Sequence, residues 1–300
     1  MTDFATTNIN SPSTPQSTIG FIPTIWTGAL MHNYYEISAV PLITKKAPVI
    51  KGNKLIYSLA SKVNINKTTT SDPQNAQVIY QQAQPSQLDI EMNQIYNWGL
   101  TFNDINLFQT NLPLLQGEMY EASMGLDEEI SKDVYTAIFN SAGQTIGNVE
   151  ISPENAYDYI VDLLKPLNDQ KVPKWGRYVV IDYTYLAMLS KDPRYTFQPN
   201  VLAKGIVEGH KINGATIIAT ADLQPITTSA GTVHPIFAIQ SEAFGFGMQF
   251  DKVQYLDKLE GSWNEAVRGR ALVGYGVLRP NSIVSANVTY NTSVEPNIEL

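Results

Sequence analysis

VPKWGRYVVIDYTYLAML, residues 172–189, reads as a strand and then a helix with clear punctuation. Pro173, Lys174, Trp175 and Gly176 predict a turn, since proline presets φ and glycine accepts a left-handed backbone. Tyr178, Val179, Val180 and Ile181 form a short apolar run, which predicts a strand. Asp182 stops the run, and Tyr185, Leu186, Ala187, Met188 and Leu189 predict a helix. In many enzymes the loop between two such elements holds a glycine-rich phosphate cradle or a nucleophile. Here it holds Asp182, Tyr183 and Thr184, so a well-made α/β unit has no recognisable chemistry at its junction.

Downstream, Lys211-Ile212-Asn213-Gly214 predicts a turn into the strand ATIIATA at 215–221. PIFAIQ (235–240), DKVQYLDKLE (251–260) and ALVGYGVLRP (271–280) read as further strands, the last ending at Pro280. Upstream, Ser152-Pro153-Glu154 predicts a helix start, with serine at the cap and proline in the first turn. Ala156, Ile160, Leu163, Leu164 and Leu167 give that helix its buried face. The strongest helix signal is Leu115, Met119, Ala122, Leu126, Ile130, Val134 and Ala137, repeating every three or four residues. Asp104 and Asn111 are candidate N-caps. Pro113 marks a start nearby, because proline inside a helix costs about 3 kcal/mol. A helix from Asn111 to Phe139 would be about 43 Å long. SAGQTIGN (141–148) ends it, and Gly117 and Gly125 are its expected weak points.

The N-terminal third is organised differently. MTDFATTNINSPSTPQSTIG (1–20) reads as a polar arm without the basic and apolar regions of a signal peptide. In FIPTIWTGALMHNYYEISAVPL (21–42), Trp26, Ala29, Leu30 and Asn33 are expected on one helical face. Leu55, Tyr57 and Leu59 alternate, as do Leu88, Ile90 and Met92, around the polar NKTTTSDPQNAQ with Asp72-Pro73 as its turn. This predicts an extended β-hairpin within 51–99. Its flanks look too polar to form a core, so it should project and lie on something else. The class is α+β, with no internal repeat and no linker.

With 300 residues, 43% of them hydrophobic, the chain is globular and long enough for real cores. No apolar run is long enough to span a bilayer. The absence of cysteine excludes disulfides, thiol catalysis and Cys-ligated zinc, and fits a reducing cytoplasm. The formal net charge is −8, and the largest basic cluster is Lys45-Lys46, so no basic stripe marks tight nucleic-acid binding.

The search for chemistry returns nothing. His32, His210 and His234 are far apart, match no metal-ligand spacing and read as surface or packing residues. Asp127, Glu128 and Glu129 are helical neighbours that point apart, so with Glu118 and Glu121 they read as a solvated face. GFGMQF (245–250) and GYGV (274–277) contain Gly-x-Gly without a third glycine ahead of a helix, and predict bends or bulges in a sheet. The sequons at Asn66, Asn287 and Asn291 carry no weight without a secretory signal. A carboxylate-based hydrolase needs two acidic groups about 5–9.5 Å apart across a cleft, and nothing marks such a pair. No catalytic, cofactor-binding or metal-binding residue is assigned, and no enzyme activity is expected.

Taken in order, the segments resemble the major capsid protein of tailed bacteriophages, the Hong Kong 97-type capsid fold. FIPTIWTGALMHNYYEISAVPLITK (21–45) resembles the arm and first helix, and KGNKLIYSL (51–59) the start of the extended loop. LTFNDINLFQTNLPLLQGEMYEASMGLDEEISKDVYTAI (100–138) is similar to the return strand and spine helix. VPKWGRYVVIDYTYLAMLSKD (172–192) and GHKINGATIIATADL (209–223) resemble the axial domain. GRALVGYGVLRPNSI (269–283) resembles the last long strand, returning to the peripheral domain. The similarity runs from Phe21 to Ile283 and rests on order and spacing together.

The resemblance implies an N-terminal arm at 1–45, an extended loop with peripheral strands at 46–99, and spine helix plus peripheral domain at 100–147. It implies an axial domain at 148–245, returning strands at 246–284 and a C-terminal tail at 285–300. It implies a structural protein of the virion, made in the host cytoplasm, whose pentamers and hexamers close an icosahedral head around double-stranded DNA without sequence-specific binding. Scaffolding, portal and decoration proteins are its implied partners; no cofactor and no membrane are. The alternative is an encapsulin-like nanocompartment shell of the same fold. Maturation is expected to move the arm and bend the spine helix. Some members crosslink a loop lysine to an asparagine on a neighbour; Lys51, Lys54, Lys62, Lys67 and Asn281 lie in those regions, and crosslinking is not carried over.

Overall fold

The computed structural model describes residues 23–59, 65, 67, 82, 86–102, 112–192, 194–195, 206–228, 231–256 and 264–290. The chain opens with α1 (Pro23–Ile37), the single turn α2 (Val40–Ile43) and the short strands β1 (Lys45–Lys46) and β2 (Val49–Lys51). Then come β3 (Lys54–Leu59), β4 (Ser86–Glu91), β5 (Gln94–Phe102), the long helix α3 (Leu112–Asn140) and β6 (Gln144–Ile151). α4 (Ala156–Asp169), β7 (Arg177–Ile181), α5 (Tyr183–Leu189), β8 (Ile206–Ile212) and β9 (Ala215–Ala219) follow. β10 (Ile226–Thr228), β11 (Gly231–Gln240), β12 (Phe244–Leu256), β13 (Glu265–Val277) and β14 (Ile283–Tyr290) complete it. The result is a mixed α/β fold.

The opening stretch sits at the centre of the largest sheet, whose order is β6-β14-β11-β7-β9-β8 with β10 paired to β11. β7 runs parallel to β9 and antiparallel to β11. Its apolar run has no polar alternation because both faces are covered. Val179 and Ile181 join Ile217, Ala219, Ile236, Ala238, Val284 and Ala286 under α4 and α5. Val180 joins Ile218, Phe237, Ile239 and Ile283 against α2, α3 and a second sheet of order β1-β12-β13-β5. Asn213 (φ 49°) and Gly214 (φ 86°) make the tight turn between β8 and β9, the left-handed pair that a two-residue hairpin requires.

Several elements differ from the sequence reading. α3 buries Met119, Leu126, Ile130 and Val134 as expected, but also Ser123, Ser131, Tyr135 and Ile138, while Ala122 and Ala137 are half-buried. It packs against two sheets and α1, which demands a wider seam than one stripe. On α1 the buried positions are Leu30, Tyr34 and Ser38; Ala29 and Asn33 are half-buried. Most of SAGQTIGN is strand β6, lying parallel to β14. α4 begins at Ala156 rather than Ser152, because the Asn155 side-chain oxygen accepts the Ser152 amide at 2.8 Å and closes the preceding turn. Its five expected core residues are all fully buried. Ser285–Tyr290, read as the start of a tail, are part of β14, with Val284, Ala286 and Val288 fully buried.

The hairpin exists at its base: β3 pairs β4 from Lys54↔Glu91 to Leu59↔Ser86, with β2 on the outer side of β3. Its flanks do build a small core, contrary to expectation. Leu55, Tyr57 and Met92 are buried with Ala47 and Leu278. The arm at 1–20, Asp72-Pro73, Asp104, Asn111, Lys62, Asn66 and Asn291 lie outside the described residues, as do the side chains of Trp26, Pro113, Leu115 and His210.

Candidate functional site

Asp182 is the hub of the junction that looked empty. One carboxylate oxygen accepts the Tyr185 amide at 2.7 Å, capping α5, and accepts the Tyr290 hydroxyl as well. The other oxygen stands 3.0 Å from Nδ1 of His234, whose ring lies 4.6 Å from that of Tyr290. Burial first, then the Asp182 charge, drives the Tyr290 phenol well above its ordinary range. The carboxylate, the imidazole and the phenol face one another, so they clasp α5, β11 and β14 together. The sequence placed His234 alone because its partners are remote in the chain. His32 is 3.6 Å from Glu36, one helical turn away on the exposed face of α1.

Arg177 has no role of its own in the sequence reading, yet it is only 2% exposed. The guanidinium donates to the Pro173 carbonyl at 2.9 Å, the Asn168 side-chain oxygen at 2.6 Å and the Val172 carbonyl at 2.5 Å. Burial lowers its pKa. This tethers the 172–176 loop from beneath, while Gly176 (φ 63°) and a 2.8 Å bond from the Ser241 amide to the Gly176 carbonyl hold it from the side. Trp175 at the tip is 60% exposed. A second arginine knot closes the loop after α5. Arg194 donates to Asp192 at 2.8 Å, Asp158 at 2.6 Å and the Glu154 carbonyl at 2.9 Å. The hydrogen bonds from Arg194 hold the Asp192 carboxyl below its usual range.

The acidic run on α3 is used locally. Ser131 donates to Asp127 at 3.0 Å, and Lys132 donates to Glu128 at 2.6 Å and Glu129 at 3.1 Å. Among the described residues no group of three or more His, Cys, Asp or Glu is arranged to hold a metal ion.

The Gly-x-Gly pairs are not bends. Gly245 and Gly247 lie in regular ladder opposite Gly276 and Gly274, and the only irregularity in that pair falls between Phe250 and Lys252. A Cβ on Gly245 would stand 2.7 Å from the Tyr57 ring, and one on Gly247 2.6 Å from a Leu55 methyl. The glycines therefore form a flat seat for the hairpin. The Tyr57 hydroxyl reaches through it to the Lys45 carbonyl at 2.9 Å and the Phe246 carbonyl at 3.2 Å. Beyond the seat, Val49 (51%) and Ile50 (44%) leave an apolar edge exposed on β2. Lys54 pairs with Glu91 at 3.5 Å; Lys51, Lys67 and Asn281 are exposed.

No protein-family model and no curated protein matches the chain. Solved structures do. A chain from the capsid of cyanophage P-SCSP1u matches with a TM-score of 0.56 at 14% identity, covering 83% of this chain and 87% of that one. One from the mature capsid of bacteriophage PhiM1 matches with a TM-score of 0.55 at 10% identity, covering 84% and 87%. This chain has the fold of those capsid chains. The virus-like particle from Pyrococcus furiosus shares it, with a TM-score of 0.52 at 12% identity, covering 88% of this chain and 98% of that one.

Proposed function

We propose that this protein is a phage major capsid protein of the Hong Kong 97 type, a structural subunit without enzymatic activity that closes an icosahedral head around DNA. The observation that carries the reading is a likeness spanning more than four-fifths of both chains in the two phage capsid matches described. α3 corresponds to the spine helix, β2-β3-β4 to the base of the extended loop, and the β6-to-β8 sheet to the axial domain. The base of the hairpin is buried on its own subunit, but Val49 and Ile50 on its outer strand are left exposed, and permanent assemblies cover such apolar edges by contacts between copies. The divisions at 1–45, 46–99, 100–147, 148–245 and 246–284 belong to this proposal, with β6 counted whole in the axial sheet and the boundary at 285 giving way to β14, which runs to Tyr290; so do pentamers and hexamers and scaffolding, portal and decoration partners. The match to a virus-like particle chain supports a second reading, a nanocompartment shell of the same fold. Negative-stain microscopy with size-exclusion chromatography tests both. Closed shells or ring-shaped capsomers are expected, with nucleic acid inside for a head and protein cargo for a compartment. A subunit that stays monomeric at every concentration overturns both.

A further inference from the structure

A basic, aromatic loop at one end of the largest sheet is complementary to an apolar cleft at the other. Trp175 shares its loop with the exposed Lys171 and Lys174, with Asp169 the nearby acid in sequence, so the loop is net positive. Its backbone is pinned by Arg177, Gly176 and Ser241 as described, so the indole is presented with little freedom left to lose on contact. The cleft holds about 150 Å³ between the C-terminal end of α3 and the loop after β9. Tyr135, Phe139, Leu223, Pro225, Ile226 and Pro235 line it. Ile226 at its rim is 41% exposed. The surroundings are acidic: Asp127 and Asp222 both act on Tyr135, Glu128 acts on Asp222, and Lys132 is the one cation in that set.

Topology keeps loop and cleft apart within one chain. Trp175 precedes the first residue of β7, and Leu223 to Ile226 follow the last residue of the parallel strand β9. Gln240 on β11 pairs with Arg177 and Val233 with Ile226, so the two sites are separated by seven residues of β11, roughly 23 Å at ~3.3 Å each. A chain cannot fill its own cleft, but a second copy placed head to tail can. Repetition of such a heterologous contact closes a ring when the rotation between copies closes, and otherwise builds an open helix.

We propose that Trp175 of one copy seats in the cleft lined by Tyr135, Pro225, Ile226 and Pro235 of the next, with Lys171 and Lys174 against its acidic surroundings. This contact joins neighbours around a capsomer. The inference rests on the shell reading and names one of its contacts. Tryptophan is enriched among interface anchors, and truncating such an anchor weakens association by about tenfold or more.

The chain has no cysteine, so an engineered pair reports cleanly. A Trp175→Cys, Ile226→Cys double variant is assembled, oxidised and run on a non-reducing denaturing gel. A disulfide needs Cα atoms within about 7 Å, so the pair cannot close inside one chain. The expected result is a ladder in multiples of 33.2 kDa that ends at the sizes of the closed capsomers, pentamer and hexamer, and is absent from each single-cysteine variant. Trp175→Ala and Ile226→Glu, both at exposed sites, raise the concentration needed for assembly by about tenfold or more and leave melting of the free subunit unchanged. Particles of the double variant that run as a single 33.2 kDa band, or substituted chains that assemble at wild-type concentrations, overturn the contact while leaving the shell reading standing. A wild-type chain that never assembles overturns the shell reading itself.

Discussion

Two sets of glycines should respond to the same substitution with opposite signs. Gly117 and Gly125 are exposed within α3, and a Cβ at either meets nothing within 4 Å. Replacing an exposed helical glycine with alanine removes unfolded-state entropy and gains about 1 kcal/mol. The sites are eight residues apart with no shared contact, so the gains add to about 2 kcal/mol. That is roughly a 25-fold shift in the folding equilibrium. Gly247 is the reverse case. Its Cβ would stand 2.6 Å from Leu55, which is fully buried beside Tyr57 and Met92 and has nowhere to move. Overpacking of that kind costs about 1–3 kcal/mol. Urea denaturation of the unassembled subunit reads both, through midpoints at unchanged slope. Midpoints lowered by Gly117→Ala or Gly125→Ala, or unchanged by Gly247→Ala, would refute the reasoning. Under the shell reading, the stabilised double variant assembles but matures more slowly, because the glycines are then the points at which α3 bends.

Arg177→Ala leaves the buried Val172 carbonyl and the part-buried Pro173 carbonyl without their donor. It should lower stability by about 3 kcal/mol in the same denaturation assay, since each orphaned acceptor costs about 1–3 kcal/mol. Tyr57→Phe removes one hydroxyl from the hairpin seat and should cost about 1 kcal/mol, seen as faster proteolysis within 46–99 with little change in global unfolding. Asp192 has its folded pKa depressed by Arg194. Its contribution is therefore present above the unfolded carboxyl value of about 3.9 and is lost as pH falls through the lower folded value. The stability difference between wild type and Asp192→Asn should be full at neutral pH and vanish in acid; a difference constant down to strong acid would contradict the pairing.

Local signals were read correctly where local physics decides. Val179 to Ile181 form a strand because an unbroken apolar run at that length fits a sheet buried on both faces, and Asp182 caps the next helix because its carboxylate competes for the first free amides. Asn213-Gly214 turns because both residues tolerate positive φ. Residues 144–151 were missed as strand because their burial pattern is mostly exposed or half-buried, and only pairing with β14 makes them one. The Gly-x-Gly pairs were misread because a bulge and a close approach look alike until the approaching side chains, Leu55 and Tyr57, are in view.

Most elements are written in neighbouring residues: the long amphipathic helix, the base of the hairpin and the strand–turn–helix unit. Their order also carried the resemblance to a shell protein. What the polar residues do emerges from contacts between remote segments. Asp182, His234 and Tyr290 meet, Arg177 is buried under its own loop, and Trp175 is left in the open at the opposite end of the sheet from an apolar cleft. The physical reason is range. Propensity, capping and periodicity act over a few residues and are written in neighbours, whereas a buried charge, a clasp or a docking seat depends on which remote segments the sheet brings into contact.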